Sequence, residues 1–558
     1  MARAGWLAGL ARIGIGLGAG AAAAAFGIGK AEQRLRLSRA KHRSLTGHVR
    51  MAKRVAGWLP GYDLDARAFF RADGAPADIV ARREAGFARL SALYAQRYPK
   101  TAALAAEMQG SIPDLDFTSR YRVPFPFSRM VREALPAGSF YQASDGLMLT
   151  DLDGNRFYDL TGSYGVNLLG TDAYRAMVAE GIAATEALGP VLGGLHPVVA
   201  DNVRRLTALT GLDAVSFHMS GTEAVMQAVR LARYHTGRPR LVRFAGAYHG
   251  WWGDVQPGVG NPLAADHTYT LKDMHADTLR VLRTRSDIAC VLVNPLQALH
   301  PNAGAPGDSS LVDGGRRAGY DRAAYTAWLQ QLREVCTAHG IVLIFDEVFL
   351  GFRLAKGGAQ DYFGVRADLV TYGKTLGGGY PVGVVCGPHR LMKRYRDDRP
   401  ADICFARGTF NSHPHVMAAM NEFLKLLDTP GIEAIYRDAD AVWDTRAGRL
   451  NERLRSEGLP VRVAHMQSIW TVTYTVPSRY NWMLQYYLRA EGLALSWVGT
   501  GRFIFSMNYG DNDFAAVCER FVAAAKKMEA DGWWWTPPGA SNKGIRRRIL
   551  REMLTRKR

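Results

Sequence analysis

Residues suited to binding an anion follow the apolar run Ala214–Met219. Ser220, Gly221 and Thr222 stand where that run gives way to a helical pattern, and Glu223 comes three residues after Ser220. A serine before a helix and a glutamate three residues later form a capping box, so one interpretation is simply a well-capped helix. The other interpretation is a phosphate site. Free N–H groups, small residues and two hydroxyls at a helix N-terminus suit that anion.

An acid and a lysine end two further apolar runs. Asp346 closes Ile341–Phe345, and Lys374 follows Leu369–Tyr372 and Gly373. Burying an acid is costly unless a cation or a donor meets it. Asp346 therefore either caps a helix or faces a positive partner such as a protonated ring nitrogen. A lysine beside a buried strand can be desolvated, which lowers its pKa and makes its amine nucleophilic.

The segment Gly373-Lys374-Thr375 also matches the last three residues of a P-loop motif. That motif requires an upstream glycine at position 368, which is Asp368 here. The sequence therefore excludes a nucleoside triphosphatase of the P-loop type.

An aromatic ring is available in the loop after the run Leu241–Phe244. Tyr248 could stack on a flat cofactor, although a lone tyrosine more often serves packing, and His249 stands beside it. A phosphate cradle, a stacking ring, a buried acid and a reactive lysine are together the groups that pyridoxal phosphate needs. The combination predicts a site for that cofactor more strongly than any one of the four segments does.

Strands and helices must bring these segments together. The sequence predicts buried strands at Ala214–Met219, Ile288–Val293, Ile341–Phe345 and Leu369–Tyr372, and helices at Gly221–Thr236 and Arg322–His339. Strands that alternate with helices predict a mostly parallel, helix-covered sheet, in which ligands bind at the strand ends. After Pro430 the pattern changes to one typical of a second, smaller α+β unit.

Six motifs in this order resemble the class III pyridoxal-phosphate aminotransferases, with glutamate-semialdehyde aminomutase and its relatives as the nearest kind. They are SGTEA (Ser220–Ala224), YHG (Tyr248–Gly250), FDEVFLGFR (Phe345–Arg353), GGAQDYFGVRADL (Gly357–Leu369), YGKTLGGGYPVG (Tyr372–Gly383) and GTF (Gly408–Phe410). The resemblance covers about residues 140–530. It implies fold type I architecture, with a large, mostly parallel α/β domain and a smaller α+β domain.

The resemblance also implies roles for individual residues. Lys374 is the expected covalent attachment point and proton carrier, Asp346 the partner of the cofactor's ring nitrogen, and Val348 a contact on the ring. Ser220, Gly221 and Thr222 are the expected phosphate cradle, and Tyr248, with His249 beside it, the stacking ring. Thr409 matches a threonine that reaches the phosphate held by the neighbouring subunit, so a homodimer with shared sites is expected.

The sequence departs from the aminomutase pattern on the substrate side. Met219 replaces a common asparagine, Asn294 stands where a glutamate is usual, and the acid expected near the C-terminus is absent from Trp497–Arg502. We therefore expect an aminotransferase that moves an amino group from a small donor to a carbonyl acceptor. The alternatives are an intramolecular aminomutase and a non-catalytic scaffold at a membrane, and the presence of both Lys374 and Asp346 argues against the scaffold.

The expected organisation has six parts. They are a basic arm (1–60), a helical extension (61–139), the first part of the small domain (140–190), the large cofactor-binding domain (191–430), the C-terminal small domain (431–530) and a tail rich in tryptophan and basic residues (531–558). No single arginine identifies a substrate carboxylate site. Arg120, Arg122, Arg129 and Arg502 are candidates that are more simply interpreted as surface charges.

The positive charge is concentrated at the two ends of the chain. Of the formal charge of +19, residues 1–60 carry +10 and residues 541–558 carry +7, which leaves a nearly neutral body. This disfavours a nucleic-acid partner and favours an anionic membrane surface or an acidic carrier protein that presents a lipid-like substrate. A cytoplasmic enzyme with peripheral membrane contact is expected.

Three features support the membrane interpretation. The stretch Ile13–Gly29 is uncharged, Ile545, Ile549 and Met553 form a stripe within a basic helical pattern, and the Trp533–Trp535 cluster could lie at a membrane interface. For the N-terminal stretch the alternatives are a flexible or weakly helical arm, a secretory signal and an organelle transit peptide. For the tail the alternative is a frayed, solvated segment.

Overall fold

The computed structural model describes residues 27–42, 48–136, 140–256, 260–263, 265–299, 318–496 and 501–555. The strands, in chain order, are β1 Tyr141–Asp145, β2 Met148–Asp151, β3 Arg156–Asp159, β4 Ala214–His218, β5 Arg240–Phe244, β6 Thr268–Leu271, β7 Ile288–Val293, β8 Val342–Asp346, β9 Leu369–Gly373, β10 Gly383–Gly387, β11 Val461–Met466, β12 Ile469–Tyr474, β13 Leu493–Ala494 and β14 Arg502–Ile504.

The α-helices span 27–40, Val49–Trp58, Ala66–Phe70, Ala77–Arg97, Pro99–Glu107, Pro113–Tyr121, Phe125–Ala134, Thr171–Thr185, Val198–Thr210, Gly221–Thr236, Ala276–Thr284, Arg322–Ala338, Gly358–Phe363, His389–Met392, Pro414–Leu427, Pro430–Ser456, Leu484–Ala490, Asp511–Ala530 and Asn542–Thr555.

A seven-stranded sheet in the order β4-β10-β9-β8-β7-β5-β6 forms the centre of the molecule. Strands β9, β8, β7, β5 and β6 are parallel, and β10 runs antiparallel to both of its neighbours. All residues of β7, β8 and β9 are buried, because helices cover both faces of the sheet. This confirms the predicted mostly parallel α/β architecture.

Two smaller sheets lie outside the central one, and their strands pair antiparallel except that β13 runs parallel to β3. The first joins β1, β2 and β3 near the start of the described body to β13 near its end, and the second contains β11, β12 and β14. Arg353, which follows β8 of the central sheet, links that sheet to the region of the two smaller sheets. Its buried guanidinium donates to the carbonyls of Gly165, Asn167 and Phe505 at 2.8–3.2 Å.

The tryptophan cluster of the tail lies in the core, so its predicted place at a membrane interface is wrong. Trp533 and Trp534 are buried, and the Trp533 ring lies 6.3 Å from that of Phe69 and 5.0 Å from that of Tyr480. The partners come from the extension and the small domain. Three aromatic rings that are far apart in the sequence can cover one another, which the local pattern of the tail does not reveal.

The amphipathic helix predicted in the tail is present, and its apolar stripe packs in part on the protein body. Ile545 is buried, and Glu552 accepts two hydrogen bonds of 2.8 Å from the buried Arg479. Arg548 lies 3.3 Å from Asp73 of the extension. Ile545 thus packs on the body, while Ile549 and Met553 are only partly buried, so membrane contact by this helix stays a prediction. The helix exposes basic side chains such as Arg547 and Arg551 to solvent, and Leu550 and Leu554 beside them are exposed as well.

The N-terminal residues cover the edge of the central sheet. Ala40 is fully buried, its carbonyl accepts from Lys272 N at 2.9 Å, and Lys41 pairs with Leu271 of β6. An edge strand otherwise exposes unpaired backbone groups, so this contact protects β6. No helix within the described ranges is both long and apolar enough to cross a membrane. Most of the uncharged stretch Ile13–Gly29 lies outside those ranges.

Candidate active site

A cavity of about 460 Å³ opens at the carboxyl ends of the parallel strands, where open α/β sheets bind ligands. Its lining includes eight of the nine predicted site residues: Ser220, Gly221, Thr222, Tyr248, His249, Asp346, Val348 and Lys374. The ninth, Thr409, is exposed and does not line the cavity. The predicted residues from four separate segments thus meet at one place.

Lys374 lies at the wall of this cavity, directly after β9. Its backbone is left-handed, with φ of 47°, a conformation that costs free energy in residues other than glycine and that often marks functional sites. Burial lowers the pKa of Lys374. Asp346 opposes this effect, and the positive charges of Arg353 and Arg502 add to it. No ion pair holds the amine within the described part of the chain, and its Nζ lies 5.4 Å from the centre of the Phe349 ring.

Asp346 ends β8 and is only 2% exposed. Its Oδ2 lies 2.7 Å from His249 Nδ1, while Oδ1 accepts from the backbone N–H of Val348 at 3.1 Å and from the Thr371 hydroxyl at 3.4 Å. Burial lowers the pKa of His249, although the neighbouring carboxylate acts in the opposite direction. A neutral imidazole that donates from Nδ1 satisfies this geometry.

The serine half of the predicted capping box is confirmed at the start of the Gly221–Thr236 helix, whereas Glu223 reaches back one residue beyond the N-cap. Ser220 Oγ accepts from Glu223 N at 3.2 Å, and Glu223 Oε2 accepts from Met219 N at 2.9 Å. A side chain at Gly221 would collide with Val348, because its Cβ would lie 2.4 Å from Val348 Cγ1. The backbone can therefore approach a ligand closely here. The first N–H groups of the helix are free to donate, and the helix dipole favours an anion at this end.

Tyr248 and Val348 both line the cavity. Tyr248 is 56% exposed, and its carbonyl accepts from Asn294 Nδ2 at 3.3 Å. Val348 follows Asp346 by two residues and packs against Gly221, which places it between the acid and the anion site. A flat ring bound in the cavity has apolar and aromatic surfaces available to it.

The sequence interpretation missed several residues that line the cavity. Gln297 is buried and donates from Nε2 to the carbonyl of Ala245, and Phe349 faces the Lys374 amine. Arg502 lines the same cavity and Arg122 lines another, so the interpretation of both as surface charges is wrong. Only proximity in the fold distinguishes them from Arg120 and Arg129, which are exposed. No local sequence signal would have found them.

The family model for class III aminotransferases matches residues 130–298 and 313–525. The chain belongs to the class III aminotransferase family. Glutamate-1-semialdehyde 2,1-aminomutase of Geotalea daltonii is 30% identical over 459 residues, covering 77% of this chain and 98% of that protein.

Solved structures of class III enzymes share the architecture. A transaminase with pyridoxal phosphate bound aligns with a TM-score of 0.63 at 27% identity, covering 78% of this chain and 99% of that one. An omega-transaminase from Sphaerobacter thermophilus aligns with a TM-score of 0.60 at 27% identity, covering 74% and 97% of the two chains. The fold is therefore that of the fold type I pyridoxal-phosphate transferases.

The cofactor of this class III enzyme is pyridoxal phosphate, and the residues of the cavity fit it. The observations that show the fit are a partly buried lysine without an ion pair in the described ranges, a buried acid held in one orientation, and a helix N-terminus where only glycine avoids Val348. The cofactor's aldehyde, ring nitrogen and phosphate each have a chemically matched group in the cavity.

Proposed function

We propose that this enzyme transfers an amino group from a small-molecule donor to an aldehyde or keto acceptor. The observation that carries the proposal is the Lys374 amine, whose pKa is lowered by burial, facing the same cavity as the buried Asp346. The lowered pKa increases the fraction of the amine that is uncharged, and an uncharged amine can accept a proton, which amino transfer requires. A scaffold without catalysis has no need to keep both groups at one cavity.

Pyridoxal phosphate, when bound, supplies an electron sink that stabilises negative charge on the carbon beside the transferred nitrogen. In this proposal the backbone N–H groups at Gly221 and Thr222, with the hydroxyls of Ser220 and Thr222, bind its phosphate. Tyr248 and Val348 enclose the ring, Asp346 binds the protonated ring nitrogen, and Lys374 Nζ takes up and returns the substrate proton.

The covalent role of Lys374 can be tested by borohydride reduction and peptide mapping. We expect the cofactor to be fixed on the peptide that contains Lys374, and Lys374→Ala to abolish turnover while the protein stays folded. Lys393→Ala is a matched control, since Lys393 is a lysine outside the cavity that pairs with Asp397. Label on any other lysine would overturn the assignment.

The reaction type can be tested by mass spectrometry with paired amino donors and carbonyl acceptors. Transamination requires both partners and gives two products. The second candidate is an intramolecular aminomutase, favoured by the curated relatives of about 30% identity. That activity would convert a single amino aldehyde without any acceptor, and such a result would replace the transferase proposal.

A homodimer is part of the proposal. Thr409 and Phe410 are exposed, as are Met219 and Tyr248 at the cavity. A second copy that covered these side chains could bring its own Thr409 to the phosphate. Sedimentation velocity would reveal the dimer, and Thr409→Ala should weaken cofactor binding if the residue is shared. A monomer with full activity would contradict this part.

We further propose a cytoplasmic location with peripheral contact at an anionic membrane, and an acceptor that is lipid-like or carrier-bound. The support is the exposed basic side of the tail helix and the exposed Met51, Trp58 and Leu59 beside the basic Val49–Trp58 helix. Cosedimentation with anionic but not neutral vesicles, lost in Arg547→Gln/Arg551→Gln and at high salt, would support it. Binding to an acidic acyl carrier protein instead would favour the carrier-bound substrate.

A further inference from the structure

A second cavity, of about 170 Å³, lies among the helices of the N-terminal extension. The helices Pro99–Glu107, Pro113–Tyr121 and Phe125–Ala134 form most of its wall, and Tyr486 contributes from the small domain. It shares no lining residue with the catalytic cavity. Most of its lining precedes residue 130, where the match to the family model begins, so most of the cavity wall lies outside that match.

Two arginines face this cavity without a protein counter-ion. Neither Arg122 nor Arg132 forms an ion pair within the described ranges, and Arg132 Nε is buried with no hydrogen-bond partner there. Burial lowers the pKa of Arg122, and the nearby positive charge of Arg489 acts in the same direction. Both side chains are partly buried, and removing a guanidinium group from water is costly unless an acceptor meets it.

The one acid in the lining does not compensate them. Asp116 Oδ2 accepts from the backbone N–H of Gly110 at 2.9 Å, and Asp116 forms no ion pair with Arg122 or Arg132 in the described structure. Arg489 adds a third guanidinium, packed over the rings of Tyr98 and Phe157, and its Nε and Nη2 are buried without a partner in the same ranges. The surroundings of the cavity therefore carry net positive charge.

The remaining wall is mainly apolar. Leu115, Leu135, Phe140 and the ring of Tyr486 line it, together with the alanines of the Pro99–Glu107 helix. Guanidinium groups bind carboxylates through paired N–H donors. The apolar walls stabilise a ligand only if it carries hydrocarbon surface that they can bury. The volume is below the roughly 300–1,000 Å³ usual for drug-sized ligands, so a ligand has to be small.

We propose that this cavity is a binding site for a compact organic carboxylate, with the carboxylate on Arg122 and Arg132 and a short apolar chain against Phe140 and Tyr486. The site is separate from the reaction centre and does not depend on the function proposed above. Inorganic phosphate offers the same charge without the apolar part, so we expect it to bind more weakly than butyrate.

Isothermal titration calorimetry of the full-length holoenzyme with butyrate tests the proposal. We expect saturable binding that weakens about tenfold or more in Arg122→Gln and in Arg132→Gln, as for the loss of a charge-assisted hydrogen bond. Arg120→Gln is the matched control, because Arg120 is exposed and does not line the cavity. It should bind butyrate like the unmodified enzyme.

A second variant keeps the proposal testable if the arginine variants unfold. Ala105→Leu fills the cavity and leaves both arginines in place, so it should abolish binding with little effect on the melting temperature. If butyrate instead binds at Arg502 in the catalytic cavity, its affinity should be unchanged in all of these variants, and that result would overturn the proposal. So would the absence of saturable binding, or tighter binding of phosphate than of butyrate.

Discussion

The imidazole of His249 is hydrogen-bonded to the carboxylate of Asp346, with Nδ1 2.7 Å from Oδ2. The other carboxylate oxygen, Oδ1, accepts from the backbone N–H of Val348 at 3.1 Å. Both side chains are buried. His249 and Asp346 are 97 residues apart, so the pair forms only once the loop after β5 packs beside the end of β8. The acid at the floor of the cavity is thereby fixed in one orientation.

His249 is therefore expected to act as a positioning residue. His249→Ala should lower kcat by about tenfold to a hundredfold, the range for losing a hydrogen bond to a charged group. His249→Asn retains a donor near the Nδ1 position and should recover much of the loss. Steady-state kinetics of both variants, with cofactor affinity measured alongside, check this. Equal losses in the two variants would show that His249 only fills space.

Asp346 itself should matter for turnover far more than for cofactor retention. Asp346→Asn keeps the shape but removes the charge that pairs with a protonated ring nitrogen, so kcat should fall by roughly a hundredfold or more. Phosphate and ring contacts remain, so the cofactor should stay bound. Absorbance titration and single-turnover kinetics measure the two effects. Asp398→Asn provides the same chemical change at an exposed position. Near-normal turnover in Asp346→Asn would reduce the acid to a structural role.

The site could be predicted from the sequence where chemistry and secondary structure coincide along the chain. Ser220 and Glu223 satisfy a capping rule within four residues, and Asp346 and Lys374 each follow an apolar run that becomes a buried strand. The roles assigned to these residues, and the division of the chain into six parts, remain predictions. The left-handed backbone of Lys374 has no sequence signal, because residues other than glycine adopt it only under tertiary constraint.

The surface of the molecule was harder to predict. An aromatic cluster such as Trp533–Trp535 has the same composition at a membrane interface as in a core. Its place in the core is set by the contacts of Trp533 with Phe69 and Tyr480, and both of these residues lie far from it in the sequence. The stripe of the tail helix was correctly predicted as amphipathic. Its partner was not, because amphipathic periodicity identifies the apolar side of a helix but not the surface that it covers.

The contribution of His218 to stability should fall as the pH is lowered from about 6.5, the ordinary histidine value, towards 4. Glu347 and Asp273 act in the opposite direction, because burial raises their pKa values to about 8 and about 7. Burial, with Arg394 nearby, lowers the pKa of His218 to about 4 in the folded protein. Between those values the unfolded chain binds a proton at His218 that the folded chain does not bind, so the contribution of this residue to the free energy of unfolding decreases with falling pH. His249 and His465 contribute in the same direction, since burial lowers the pKa of each.

The contribution of His218 can be separated by substitution. His218→Gln removes one titrating group, so its unfolding free energy should fall less steeply over this range, by up to about 1.4 kcal/mol per pH unit. Denaturant unfolding at several pH values measures the slope. His339→Gln changes an exposed histidine and serves as the comparison. An unchanged slope in His218→Gln would contradict a depressed pKa at this position.

The tail helix should contribute measurably to stability through Glu552. Arg479 is buried and receives this carboxylate in a bidentate pair of 2.8 Å bonds, with Asp73 at 3.9 Å as its only other acid within the described residues. Glu552→Gln leaves most of the arginine's charge uncompensated, which costs about 3 kcal/mol when one partner of a buried pair is lost. Arg479→Met/Glu552→Met removes both charges and should recover much of that loss. Chemical denaturation of the two variants compares them. If Glu552→Gln is as stable as the unmodified enzyme, the tail helix is not held by this pair.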